Sequence, residues 1–218
     1  MDDTQVRRIT GIAGIALGVA TLVAVPLYFI HAGAPPPANV FTRNLVGLFS
    51  MASLIVFFAG FAQLLRRAGA EHEWAASVFT SAGTLFVAVS LIAISLEAGV
   101  VFGTPDGTVD PTTDGPLAEG NILIHGPIKR MLTAILLLAA GFSVIRSRIV
   151  PAWLGRAAYV IALFNLAFVP SIYFGSDATR FYSALGWGNS AFCASFVAWW
   201  IIAVGVVLLC RPRGGAYS

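Results

Sequence analysis

Four residues carry groups that could act together: Glu97, His125, Lys129 and Arg130. A carboxylate, an imidazole, an ammonium and a guanidinium can neutralise one another, share a proton or hold an anion. Lys129 is the only lysine in the chain, and it falls one helical turn after His125, on the same face. Three readings of the cations compete. They anchor in lipid headgroups by snorkelling, they pair with Glu97, or they bind an anionic lipid or substrate headgroup. Snorkelling is the plainest of the three. Pro127 suits the first turn of a helix, which puts Lys129 and Arg130 in that turn and His125 on the entering loop. Cations there oppose the helix dipole and are better placed facing water, phosphate, Glu97 or a bound anion.

Three further residues are candidates for intramembrane polar or pocket contacts. Asn165 falls near the middle of an apolar run, where a polar side chain faces the bundle interior and bonds to a neighbour, or touches a ligand. Trp199 and Trp200 fall near the middle of the last run and either pack or line a pocket for a flat apolar ligand. No catalytic residue is assigned. The histidines His31, His72 and His125 do not form a mid-membrane pair for haem. Glu71-His72-Glu73 is not H-E-x-x-H and reads as a solvated loop. There is no phosphate-binding glycine loop and no G-x-S-x-G. Cys193 and Cys210 lie about 25 Å apart along one helix, too far to bridge. No metal and no cofactor are expected.

The elements that position these residues are membrane helices. Of 218 residues, 58% are hydrophobic and only 11% are charged, against about 25% charged in soluble domains. Mean hydropathy is +0.85. Six apolar runs cover roughly 9–30, 44–65, 75–98, 128–146, 152–173 and 186–209, against the ~20 residues that a spanning helix needs. The fourth is the shortest, with a strictly apolar part from Met131 to Ile145 of about 22 Å. Glu97 is then about 33 Å from the start of the third helix and His125 about 31 Å from Arg146. The two share one interface on consecutive antiparallel helices.

Arg7, Arg8, Arg66, Arg67, Arg146, Arg148, Arg156, Arg211 and Arg213 mark one set of helix ends. Arg43, Lys129, Arg130 and Arg180 mark the other. Nine against four, alternating through six spans, predicts both termini on the cytoplasmic side. The acidic, turn-rich segment 103–120 is then external, as a lid or a connector. Trp74 and Trp153 fall at the inner interface, and Tyr28, Tyr173, Tyr182 and Trp187 at the outer one. Arg7-Arg8 and Ala32-Gly33-Ala34 imitate a signal peptide, but the run between them is too long, so no cleavage is expected. Gly11, Gly14 and Gly18 predict close helix packing, as does a stripe of Ser77, Ser81, Thr84 and Ala88. Pro26 and Pro170 predict kinks in the outer half, where the bundle would splay.

The stretch Arg146-Ser-Arg148-Ile-Val-Pro151-Ala-Trp153-Leu154-Gly155 resembles the R-x-x-x-L-P-x-W-L-G linker of small six-helix membrane proteins of unknown function from actinobacteria. FFAGFAQLLRRAG at 57–69 is similar too. The resemblance implies a six-helix bundle in the bacterial plasma membrane and supplies no catalytic residues. The fold class is therefore all-α, a single six-helix transmembrane bundle spanning 1–218, with both termini inside. The leading functional expectation is a non-enzymatic bundle that binds a lipid or a membrane partner through its outer half. A transporter of a small solute or lipophile comes second. A membrane enzyme acting on a lipid-soluble substrate near Glu97, His125, Lys129 and Arg130 comes third. The expected partners are membrane lipids and a membrane-protein partner or a second copy of the chain, not nucleic acid.

Overall fold

The computed structural model describes residues 2–210 except 32, 105 and 116. Ala32, Arg211 and Arg213, invoked above, lie outside the described residues. The fold is all-α: α1 (Asp3–Leu27), α2 (Pro37–Ala68), α3 (Glu73–Gly103), a short α4 (Ala118–Leu123), α5 (Lys129–Ser147), α6 (Ala152–Phe168) and α7 (Cys193–Cys210). Tight turns at Ala70–His72 and Val169–Phe174, a kink within Ile124–Ile128 and a wide, π-helical turn at Gly188–Phe192 complete them. Among the described residues, six helical stretches are long and apolar enough to cross a membrane. Large apolar side chains such as Leu45, Phe49, Leu85 and Leu163 cover the outside, as a protein in lipid requires.

Each spanning helix packs antiparallel on the next in the chain, and α7 returns to α1, which closes a ring. The closing contact is the one that the glycines of α1 predict. A methyl at Gly11 would lie 2.8 Å from the carbonyl oxygen of Gly205, and one at Gly205 the same distance from that of Gly11. Gly18 sits against Ile202 and Ala198 in the same way. Lipid gives helices no hydrophobic reason to associate, so this close van der Waals approach holds α1 to α7.

The other stripe is corrected. Ser77, Ser81, Thr84 and Ala88 face outward, and α3 packs inward through Ala76, Phe79, Ala82, Gly83 and Val87. Small residues alone do not say which side of a helix is inside. The Phe58 ring fills the space left by Gly83 and fixes the choice.

Both prolines fall near the ends of their α-helices. Pro26 lies in the last turn of α1. Pro170 starts the tight turn that follows α6, where its missing N–H costs nothing. Likewise Glu71-His72-Glu73 is not a solvated loop throughout, because His72 is buried, with Nε2 3.7 Å from Glu71 Oε1.

The two halves of the ring differ. Toward the α2–α3 turn it is filled by Phe57, Phe61, Phe79, Leu65, Leu137 and Leu154. The Phe57 and Phe61 rings stack at 5.6 Å, and Trp200 meets Phe61 edge-on at 6.2 Å. The arginines of that end meet there: Arg7 donates to Ile149 O at 3.3 Å, Arg67 lies 3.7 Å from Asp3 and Arg66 lies 3.2 Å from Glu73. The other half is hollow.

Candidate functional site

In the hollow half, the chain kinks at Gly126 before α5 and widens at Gly188–Phe192 before α7. The chain that leads to α5 is helical from Ala118, so the fourth span runs to Ser147 and is not short. The connector shrinks from 103–120 to 104–117, in which Asp110 Oδ1 accepts from Thr112 N at 2.9 Å. His125 ends the short helix that starts at Ala118 and is not on an entering loop. Gly126 leaves helical geometry (φ −97°, ψ −109°) and kinks the chain. Pro127, with no N–H to give, starts the helix that continues as α5, as its sequence predicts, and Lys129 and Arg130 fall in that first turn. Gly126 is obligatory for a second reason: any Cβ would strike the carbonyl oxygen of Ala184.

Asn189, in the wide turn before α7, holds that crossing together. Its amide donates to Ser171 Oγ at 2.8 Å, to Ala184 O at 3.0 Å and to Ser183 O at 3.3 Å. Such wide turns recur at functional sites, and this one meets the kink at Gly126 at the same end of the bundle.

Glu97 of α3 is completely buried. Its Oε1 lies 2.9 Å from His125 Nε2 and its Oε2 lies 3.2 Å from Arg43 Nη2. His125 Nδ1 lies 3.4 Å from Lys129 Nζ. A lysine ammonium only donates, so Nδ1 is the acceptor and the ring proton sits on Nε2, toward Glu97. Lys129 therefore reaches the carboxylate only through the histidine. The partner that the sequence reading missed is Arg43, which also lies over the Tyr28 ring at 4.2 Å. It could have been found. Arg66 closes α2, and 23 residues of helix raise Arg43 by about 34 Å, the level calculated for Glu97.

Arg130 neither snorkels nor pairs with Glu97. It is 4% exposed, and its Nη1 donates to Asn165 Oδ1 at 3.1 Å. Asn165 Nδ2 in turn donates to Ile161 O at 2.8 Å. Asn165 thus makes the interhelical bond expected of it, with Arg130 as its partner.

The two tryptophans part company. Trp199 is 59% exposed and is not among the residues that line the cavity described below. Trp200 is buried and donates from Nε1 to Leu154 O at 2.8 Å.

These groups stand around one end of a cavity of about 300 Å³. Arg43, His125, Lys129 and Arg130 line its polar end, with Tyr28 and Thr112 beside them. Leu54, Phe57, Leu136, Trp200 and Ile201 line it deeper down. Glu97 and Asn165 stand behind the wall, as partners of the cations that face the space. Gly47, Ser50, Phe86 and Ala194 of three different helices complete it. Sequence reading gave no hint of these, since nothing in their types distinguishes a cavity wall from a packed core.

The arrangement can accept an elongated guest with a polar head. Neither protein-family models, nor curated proteins, nor solved structures give a match to the chain.

Proposed function

We propose that this six-helix membrane protein is a non-enzymatic binding bundle that holds a membrane-soluble amphiphile in its cavity. The observation that carries the reading is the cavity itself: its deep wall is apolar, and its charged groups are gathered at one end. That is how ligand pockets are built, with a few polar groups fixing orientation.

A binding role is favoured over the other two. A passage for solutes needs an opening at the far end, where Phe61, Phe79, Leu65 and Leu137 fill the ring. An acid–base enzyme needs a group free to exchange a proton with substrate, whereas Glu97 faces Arg43 and His125. We place the protein in a bacterial plasma membrane with both termini cytoplasmic, on the strength of the arginine distribution.

The test is native mass spectrometry of the full chain released from mild detergent. One lipophile should remain bound per chain, and Ala194→Trp, which fills the cavity from α7, should remove it. A spectrum of bare protein, or an adduct that survives Ala194→Trp, would overturn the reading.

A further inference from the structure

We infer that the polar end of the cavity is an anion site, and that its guest is a single-chain amphiphile with an acidic headgroup. The inference rests on the binding reading above and names the class of ligand.

Charge gives the first reason. Three cations, Arg43, Lys129 and Arg130, face the cavity, and one carboxylate, Glu97, stands behind them. Glu97 lies against Arg43 and His125, so the excess positive charge rests on Lys129 and Arg130. Buried charge is costly unless paired, and a guest anion is the partner that this end lacks.

Unmet hydrogen bonds give the second. Among the described residues, Arg43 Nε and Arg130 Nε are both buried without an acceptor, on residues that are 3% and 4% exposed. Buried guanidinium donors without partners are rare, because the desolvation goes uncompensated. Arg130 is held in place from the other side by Asn165, which presets it for an incoming oxygen. Carboxylates and phosphates are the groups whose paired oxygens match a guanidinium.

Size and lining give the third. About 300 Å³ is at the lower end of the ~300–1,000 Å³ range of pockets for drug-sized ligands. That admits one chain and not the two of a phospholipid. Below the cations, the hydroxyls of Ser50 and Ser90 bond back to Val46 O and Phe86 O, so these two leave the wall apolar toward a chain.

The experiment uses the purified full chain in non-ionic detergent and cis-parinaric acid, a fluorescent single-chain carboxylate, with its methyl ester as the neutral control. The acid should bind saturably and the ester at least about tenfold more weakly. Lys129→Met and Arg130→Gln should each weaken the acid roughly 10- to 100-fold, the ratio that a charge-assisted hydrogen bond supplies, and leave the ester unchanged. Lys129, only half-buried, serves should Arg130→Gln fail to fold.

Competition by palmitate and by hexadecyl phosphate separates the two sources of an acidic head, and displacement by either supports the site. Equal binding of acid and ester, or variants without effect, overturns the anion site while an adduct in the mass spectrum keeps the binding reading. Displacement by dipalmitoyl phosphatidylglycerol but not by palmitate or hexadecyl phosphate overturns the single chain. If neither probe binds and the mass spectrum is bare, both readings fall together.

Discussion

Removing Arg43 would leave the Glu97 carboxylate facing a neutral histidine in a buried site. Breaking one side of a buried ion pair costs about 3–5 kcal/mol, so Arg43→Met should lower thermal stability in detergent sharply. Replacing both ends with apolar groups of similar size is often nearly neutral. The double variant Arg43→Met/Glu97→Leu should therefore recover most of the loss. Simple addition of the two single losses would show that Arg43 and Glu97 are not coupled. Asn165 makes a parallel case: Asn165→Leu takes from Arg130 the amide oxygen to which its Nη1 donates. It should cost about 1–3 kcal/mol, read by the same melting experiment. At this scale the candidates Glu97, His125, Lys129 and Arg130 were legible because charged residues in apolar runs are few. Their pairings were not, since a pairing depends on side-chain reach and on the helix opposite.

At the scale of elements, the kink at Gly126 separates His125 from Lys129. Gly126 packs under the Ala184 carbonyl, so Gly126→Ala must push the segment around residue 184 away or straighten the turn. The expected outcome is a loss of ligand retention in the mass spectrum larger than the loss of melting temperature. An unchanged adduct would mean that the turn does not shape the cavity. The α1–α7 seam is a different kind of contact. Gly18→Val there collides with the side chain of Ile202 and should destabilise the whole bundle by about 1–3 kcal/mol, measurable as a lower melting temperature. The seam was readable from the GxxxG spacing alone. The helix start at Pro127 was readable as well, because a proline suits a first turn. The helix of Ala118–Leu123 ahead of it was not, since it follows directly on an acidic, turn-rich stretch.

At the scale of the whole molecule, the ring gathers one end's arginines around the α2–α3 and α5–α6 turns and sets Glu97 at the other. The orientation proposed from the arginine excess is testable with Cys193 and Cys210 replaced. A cysteine at Thr112 should react with an impermeant label from outside, and one at Ala70 only after the membrane is opened. The reverse pattern would overturn the orientation.

What the sequence by itself determined is the number of spans and the rank of charged residues along each, because both are properties of one helix at a time. Hydrocarbon thickness fixes the length, and helical rise fixes the depth. Which face of α3 turns inward, that Trp200 is buried while Trp199 meets lipid, and that Arg43 is the residue at Glu97 were decided by the tertiary structure. Each depends on how neighbouring helices rotate against one another. In a chain apolar on all sides, no hydrophobic stripe announces that rotation, and only the fit of Gly83 to Phe58 or Gly11 to Gly205 settles it.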